Sequence, residues 1–147
     1  MSIATLTTLL TIAVLVSFFT ALAEDKGTPK APPAAAARAT PTYKNVKVAA
    51  FDKLRQTGTN VVLDVRTKKE FQDGHLPGAM LIDFMGDDFE KEIAKLDKNK
   101  TYLIHCASGG RSARACKKME QLGFKSLYNL EGGLTAWEKA GKPVEKE

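Results

Sequence analysis

The stretch "YLIHCASGGRSARACKKM", residues 102–119, passes from an apolar run through a cysteine and a glycine pair into a helical pattern. That change of period decides the fold. Residues 101–106 are almost continuously apolar, the signature of a strand buried on both faces, and strands of that kind belong to parallel sheets covered by helices. From about Ser112 the spacing becomes helical, with Ala113, Cys116, Met119 and Leu122 recurring at i, i+3 along one face.

The same alternation continues outward in both directions. Short runs rich in Val, Ile, Leu and Tyr at 43–48, 60–65, 80–84 and 126–130 read as four further strands. Helical stretches lie at 49–56, 68–74, 86–97, 111–123 and 133–141. The expectation is an α/β fold: a three-layer sandwich with a roughly five-stranded parallel sheet and helices on both faces, spanning residues 43–147. A chain of 147 residues that is 44% hydrophobic has room for one such core.

Two segments precede that domain. Residues 1–23, "MSIATLTTLLTIAVLVSFFTALA", carry no charged side chain and end in Ala21-Leu22-Ala23, followed by Glu24 and Asp25. This is the pattern of an export signal cleaved after Ala23. The n-region lacks Lys or Arg, and about 20 apolar residues can also span a bilayer, so an uncleaved N-terminal anchor is the competing reading. Both readings place the domain outside the cytoplasm, periplasmic or secreted, with a membrane tether in the second. Residues 24–42 hold Pro29, Pro32, Pro33 and Pro41 and a run of alanines without a Leu, Ile, Val or aromatic side chain, the composition of an extended linker.

Lys and Arg outnumber Asp and Glu by 22 to 17, a net charge of +5. The excess is scattered, with neither a basic run nor aromatic-basic alternation, which argues against nucleic acid and leaves a small anionic partner to be decided by a site. The 2 His and 2 Cys have no metal-ligand spacing, and no Gly-rich nucleotide loop is present, so neither a metal nor another cofactor is expected.

In open α/β sheets, ligands bind outside the carboxyl ends of the strands. Three such edges carry chemistry here: Asp64-Val65-Arg66, Asp83 and His105-Cys106. After Cys106 come Ala107, Ser108, Gly109 and Gly110, all small, then Arg111 and Ser112. Small residues let successive backbone N–H groups turn inward at a helix N-terminus, which makes a cradle for an anion. A thiol at the centre of that cradle ionises more readily. Arg111 at the rim suits a bidentate grip on an oxyanion.

Two reaction classes fit a nucleophilic sulfur in an anion cradle: phosphoryl transfer through a phosphocysteine, and sulfur transfer through a persulfide. The phosphate loop of Cys-dependent phosphatases places five residues between Cys and Arg. Here four intervene.

The chain at this point resembles the single-domain rhodanese sulfurtransferases. The resemblance covers roughly residues 44–145 and is carried by "VVLDVRTKKEFQDGHLPGAMLI" (61–82), "LIHCASGGRSARA" (103–115) and "LGFKSLYNLEGGLTAWEKAGKPV" (122–144), in that order. It implies a ping-pong cycle. The Cys106 thiolate takes the sulfane sulfur of a donor such as thiosulfate, sulfite leaves, and the persulfide passes its sulfur to a thiophilic acceptor such as cyanide, a thiol or a protein. The N–H groups of Ala107, Ser108, Gly109, Gly110, Arg111 and Ser112 would stabilise the terminal sulfur, and Arg111 would orient the donor. Two other classes stay open: a non-catalytic persulfide carrier that docks a partner, and a Cys-dependent phosphatase or arsenate reductase.

The remaining polar residues are read as support. Asp64 and Arg66 are expected to back the site, with Arg66 and Glu70, four apart, pairing on the helix that follows. His75 is expected to be a structural loop residue. His105 should face away from the thiol, because adjacent strand residues point to opposite faces. Cys116 belongs with the helix core rather than in a disulfide with Cys106, and Trp137 is expected to anchor the core.

Overall fold

A computed structural model describes residues 43–147. The elements run β1 (Lys44–Val46), α1 (Val48–Arg55), β2 (Val61–Asp64), α2 (Lys68–Asp73), β3 (Met80–Leu81), α3 (Phe89–Ala94), β4 (Thr101–His105), α4 (Gly110–Gln121), β5 (Ser126–Leu130) and α5 (Gly133–Lys139). The five strands form one sheet in the order β1-β5-β4-β2-β3, and every pairing is parallel. The expected sandwich is present. The export signal or anchor at 1–23 and the linker at 24–42 lie outside the described residues, and none of the described helices is long and apolar enough to cross a membrane.

Strand periodicity sorts the core into two halves. On one face Leu63, Val65, Tyr102, Ile104 and Leu127 meet Phe89 and Ile93 of α3 and Ala115, Cys116 and Met119 of α4. On the other, Val62, Leu103 and Leu130 meet Phe51 of α1 and Leu134 and Trp137 of α5. Trp137 is fully buried, packs edge-to-face on Phe51 and donates its indole N–H to the Pro143 carbonyl at 2.8 Å, so it anchors the core as expected.

Two elements are shorter than their patterns. The third strand ends at Leu81 instead of 84, and α3 occupies 89–94 rather than 86–97. The early end of the strand and the late start of the helix both follow from Asp83. Its carboxylate accepts from the Met85 N–H at 2.8 Å and its carbonyl from the Gly86 N–H at 3.1 Å, turning the chain where the apolar pattern runs straight on.

Central β4 ends beneath the cysteine loop, and α4 leaves from the same point. The sheet therefore delivers Cys106 to its carboxyl edge, between the ends of β2 and β5.

Candidate active site

Cys106 follows the last residue of β4 and is only 1% exposed. Gly109 turns the loop: its φ of 94° is left-handed, accessible to glycine at little cost, and it caps α4 directly. The helix consequently begins at Gly110, earlier than the pattern suggests, and its first turn carries Gly110, Arg111 and Ser112.

This geometry aims donors at the sulfur. The Gly109 N–H lies 3.1 Å and the Ser112 hydroxyl 3.4 Å from Cys106 Sγ. Burial alone would push the Cys106 thiol up. The Ser112 hydroxyl and the N–H groups of Ser112, Ser108 and Gly109 outweigh it, and the thiol titrates below its ordinary value. Of the expected cradle, Ser108, Gly109 and Ser112 face the sulfur. Ala107 contributes its carbonyl elsewhere, and a side chain added at Gly110 would meet nothing within 4 Å, so that side of the loop opens outward.

The back of the loop is held by α5. Leu134 N–H donates to the Cys106 carbonyl at 2.8 Å and Thr135 N–H to the Ala107 carbonyl at 3.0 Å. This contact is possible only because Gly133 has no side chain. A Cβ there would collide with the Cys106 carbonyl oxygen and sit 2.6 Å from the Ala107 carbonyl carbon. Gly109 is wedged against the same turn, where a Cβ would stand 3.1 Å from the Leu130 carbonyl oxygen and 3.3 Å from the Gly132 nitrogen.

Arg111 stands at the rim, and its partner is Glu70. Nη1 and Nη2 donate to the two carboxylate oxygens at 2.8 and 2.6 Å. The expected Arg66–Glu70 pair does not form. Arg66 instead turns into the sheet edge, where it binds the Asp64 carboxylate at 2.6 to 3.0 Å and the Gly74 carbonyl at 2.7 Å. Asp64 is fully buried and Arg66 4% exposed, and a buried carboxylate holds a guanidinium more firmly than a solvated one four residues along. Glu70 is meanwhile turned back by a capping box with Thr67 at the start of α2. The Arg111 hydrogen bonds lower the Glu70 carboxyl to about 2, against a smaller opposing effect of burial.

His105 pairs in register with Asp64, on the face of the sheet away from the Cys106 side chain. It is fully buried, its Nε2 lies 3.6 Å from Asp64, and burial lowers its imidazole to about 4. It is neutral and does not address the thiol. His75 stacks on Phe71 at 3.7 Å and its Nδ1 donates to the Phe71 carbonyl at 2.9 Å, the structural place expected of it. Cys116 is buried in α4, where burial pushes its thiol far up, and both cysteines are free.

A small-residue loop after a central parallel strand, a thiol under inward donors and an arginine at the rim narrow the relatives to consider. The model of the rhodanese-like domain matches residues 47–140. The chain belongs to the rhodanese-like domain family. It is 41% identical over 101 residues to YtwF of Bacillus subtilis, covering 68% of this chain and 95% of that protein. It is 30% identical over 92 residues to a protein of Allochromatium vinosum named Sulfurtransferase, covering 63% and 84%. Among solved structures, a rhodanese-like domain protein of Staphylococcus aureus superposes with a TM-score of 0.60 at 32% identity, covering 71% of this chain and 98% of that one.

Within this rhodanese-like domain, two parts of the site escape a reading by residue type: Glu70 as the partner of Arg111, and Gly133 with the N–H groups after it. The spacing Thr67-x-x-Glu70 is a capping box in plain sight and indicates where Glu70 turns. The Gly133 contact joins segments far apart in the chain and has no local signal.

Proposed function

We propose that this protein is a sulfurtransferase that carries sulfane sulfur as a persulfide on Cys106. The observation that carries this reading is the donor set around Sγ, the Gly109 N–H at 3.1 Å and the Ser112 hydroxyl at 3.4 Å, which favours a sulfur anion at the end of β4. The thiolate attacks the outer sulfur of a donor such as thiosulfate, the S–S bond breaks, and its electron pair departs on sulfite. An acceptor, cyanide or a thiol, then attacks the terminal sulfur and releases the thiolate. Ser108, Gly109 and Ser112 would hold the charge of the terminal sulfur, with Ala107 and Gly110 shaping the loop and Arg111, held by Glu70, standing at the rim where the donor enters. Asp64 and Arg66 serve as support, through the buried pair that clamps the Gly74 carbonyl after α2.

The N-terminal segment supports an exported protein, periplasmic or secreted, released after Ala23 or tethered by residues 1–23. Small acceptors and a protein acceptor both remain open to a loop with little side chain at its mouth. A carrier that docks one protein partner is the second reading, favoured by the linker at 24–42, which gives the domain reach.

Incubation of the protein with thiosulfate followed by intact mass measurement should show a gain of one sulfur atom, removed by cyanide. No gain from thiosulfate or from cysteine hydropersulfide, or a gain that persists in Cys106→Ser, overturns the proposal. Negligible turnover with small acceptors, combined with rapid loss of the sulfur to one protein, would favour the carrier.

A further inference from the structure

The site presents fewer free positive charges than its sequence suggests. Arg111 spends both terminal nitrogens on Glu70, and the Glu70 carboxylate is gripped from its other side by the Thr67 N–H at 3.1 Å and the Thr67 hydroxyl at 2.9 Å. Arg66 is 4% exposed in its pair with Asp64, and the guanidinium of Arg114 lies over the Phe84 ring at 5.0 Å. What remains unpaired at the cradle is the backbone: the N–H groups of the loop and the positive end of α4, equivalent to about half a charge.

A field of that size, with the donors on Sγ, offsets part of the sulfur's own negative charge. It does not match a thiolate joined by a dianion. Thiosulfate arriving at ionised Cys106 brings two negative charges, three in all within one pocket, and the side chain that would balance them is already paired with Glu70. An organic hydropersulfide brings at most one, as R–S–S⁻, and none as R–S–SH. Cys106 attacks its outer sulfur, the S–S bond breaks, the electron pair leaves on RS⁻, and the proton stays with the transferred sulfur or passes to water.

We propose that Glu70 determines the charge class of the donor: by engaging Arg111 it tunes the cradle for neutral or singly charged hydropersulfides and against dianionic oxyanion donors. The inference rests on the sulfur-transfer reading for its donor and on the Glu70–Arg111 geometry for its charge control. Glu70 acts through Arg111 and is a positioning residue. Its carboxylate is ionised through the neutral range, so the setting is constant rather than switched by pH.

The two halves separate experimentally. Iodoacetate and iodoacetamide have nearly the same size and differ by one negative charge, so the ratio of their alkylation rates at Cys106 measures the charge sensed by an incoming molecule, without any sulfur chemistry. Glu70→Gln is the informative variant, because Gln at the third helical position still serves the capping box. Freeing the Arg111 charge should raise the iodoacetate-to-iodoacetamide ratio about five- to tenfold, and the double variant Glu70→Gln/Arg111→Ala should return it to near the wild-type value. The rate of sulfur loading from thiosulfate, relative to loading from cysteine hydropersulfide, should rise in parallel. A ratio that is unchanged or lower in Glu70→Gln overturns the charge control. If neither donor loads sulfur while the ratio rises, the sulfur-transfer reading and the donor class fail, and the control of charge by Glu70 stands.

Discussion

The N–H of Leu134 and the carbonyl of Cys106 are joined by a 2.8 Å hydrogen bond, so the start of α5 holds the chain at the point where the reactive side chain departs. The bond depends on the residue before Leu134. Gly133 has a left-handed φ of 55°, and any Cβ there strikes the loop it supports.

Gly133→Ala should destabilise the domain by at least about 2 kcal/mol, combining left-handed strain with steric displacement of the loop. Gly110→Ala adds a side chain into open space within a helical turn and should leave stability unchanged or slightly raised. Thermal unfolding of the two variants side by side tests this, and equal losses would contradict it.

Ser112→Ala removes a donor that favours the thiolate, and the alkylation midpoint of Cys106 should move upward by roughly one pH unit, since a hydrogen bond to a charged group contributes about 1.5–3 kcal/mol and the loop N–H groups remain. The rate at neutral pH should fall accordingly. The pH dependence of iodoacetamide alkylation reads both. In the wild type the native thiol ionises below its unfolded value, which contributes stability above the unfolded pKa that is lost as pH falls through the native one.

His105 supplies an acid sensitivity of opposite origin. Its native imidazole is lowered by burial to about 4 from 6.5, so between those values the unfolded chain holds a proton that the folded chain does not. Stability therefore falls on acidification through that window, by at most about 1.4 kcal/mol per pH unit. Urea unfolding across the window should show a flatter dependence in His105→Gln than in the wild type. Parallel curves would argue that other groups govern the acid limb.

Cys116 should resist alkylation in the folded protein under conditions that modify Cys106, because it is fully buried and its thiol is pushed far up. Cys116→Ser places a hydroxyl against Met119 and the other apolar residues of that core face, at a cost of about 1–3 kcal/mol in urea unfolding. Peptide mapping after brief treatment with iodoacetamide checks the first point.

Much of this arrangement is legible in the residues alone, and the exceptions have a common cause. The apolar run at 101–106 and the small residues after it predict the buried central strand, the loop and the helix, because each is a local pattern of period and side-chain size. His105 and Cys116 are placed correctly by periodicity alone. Pairing is what local pattern misjudges. Arg66 and Glu70 have suitable spacing for a helix pair, yet Arg66 lies before the Thr67 cap of α2 and is taken by the buried Asp64, where depth strengthens the charge pair, which leaves Glu70 to the distant Arg111. The early end of β3 and the late start of α3 reflect one aspartate turn that an apolar pattern does not register.

The burial of Cys106 acquires a different meaning over the proposed cycle. At 1% exposure the empty sulfur is out of reach of anything with the bulk of a protein surface, however readily it ionises. Loading would add a second sulfur about 2 Å farther out along the Cys106 side chain. In that cycle a protein acceptor would meet the sulfur only in the loaded domain, and an empty domain would not compete with a loaded one for the same partner.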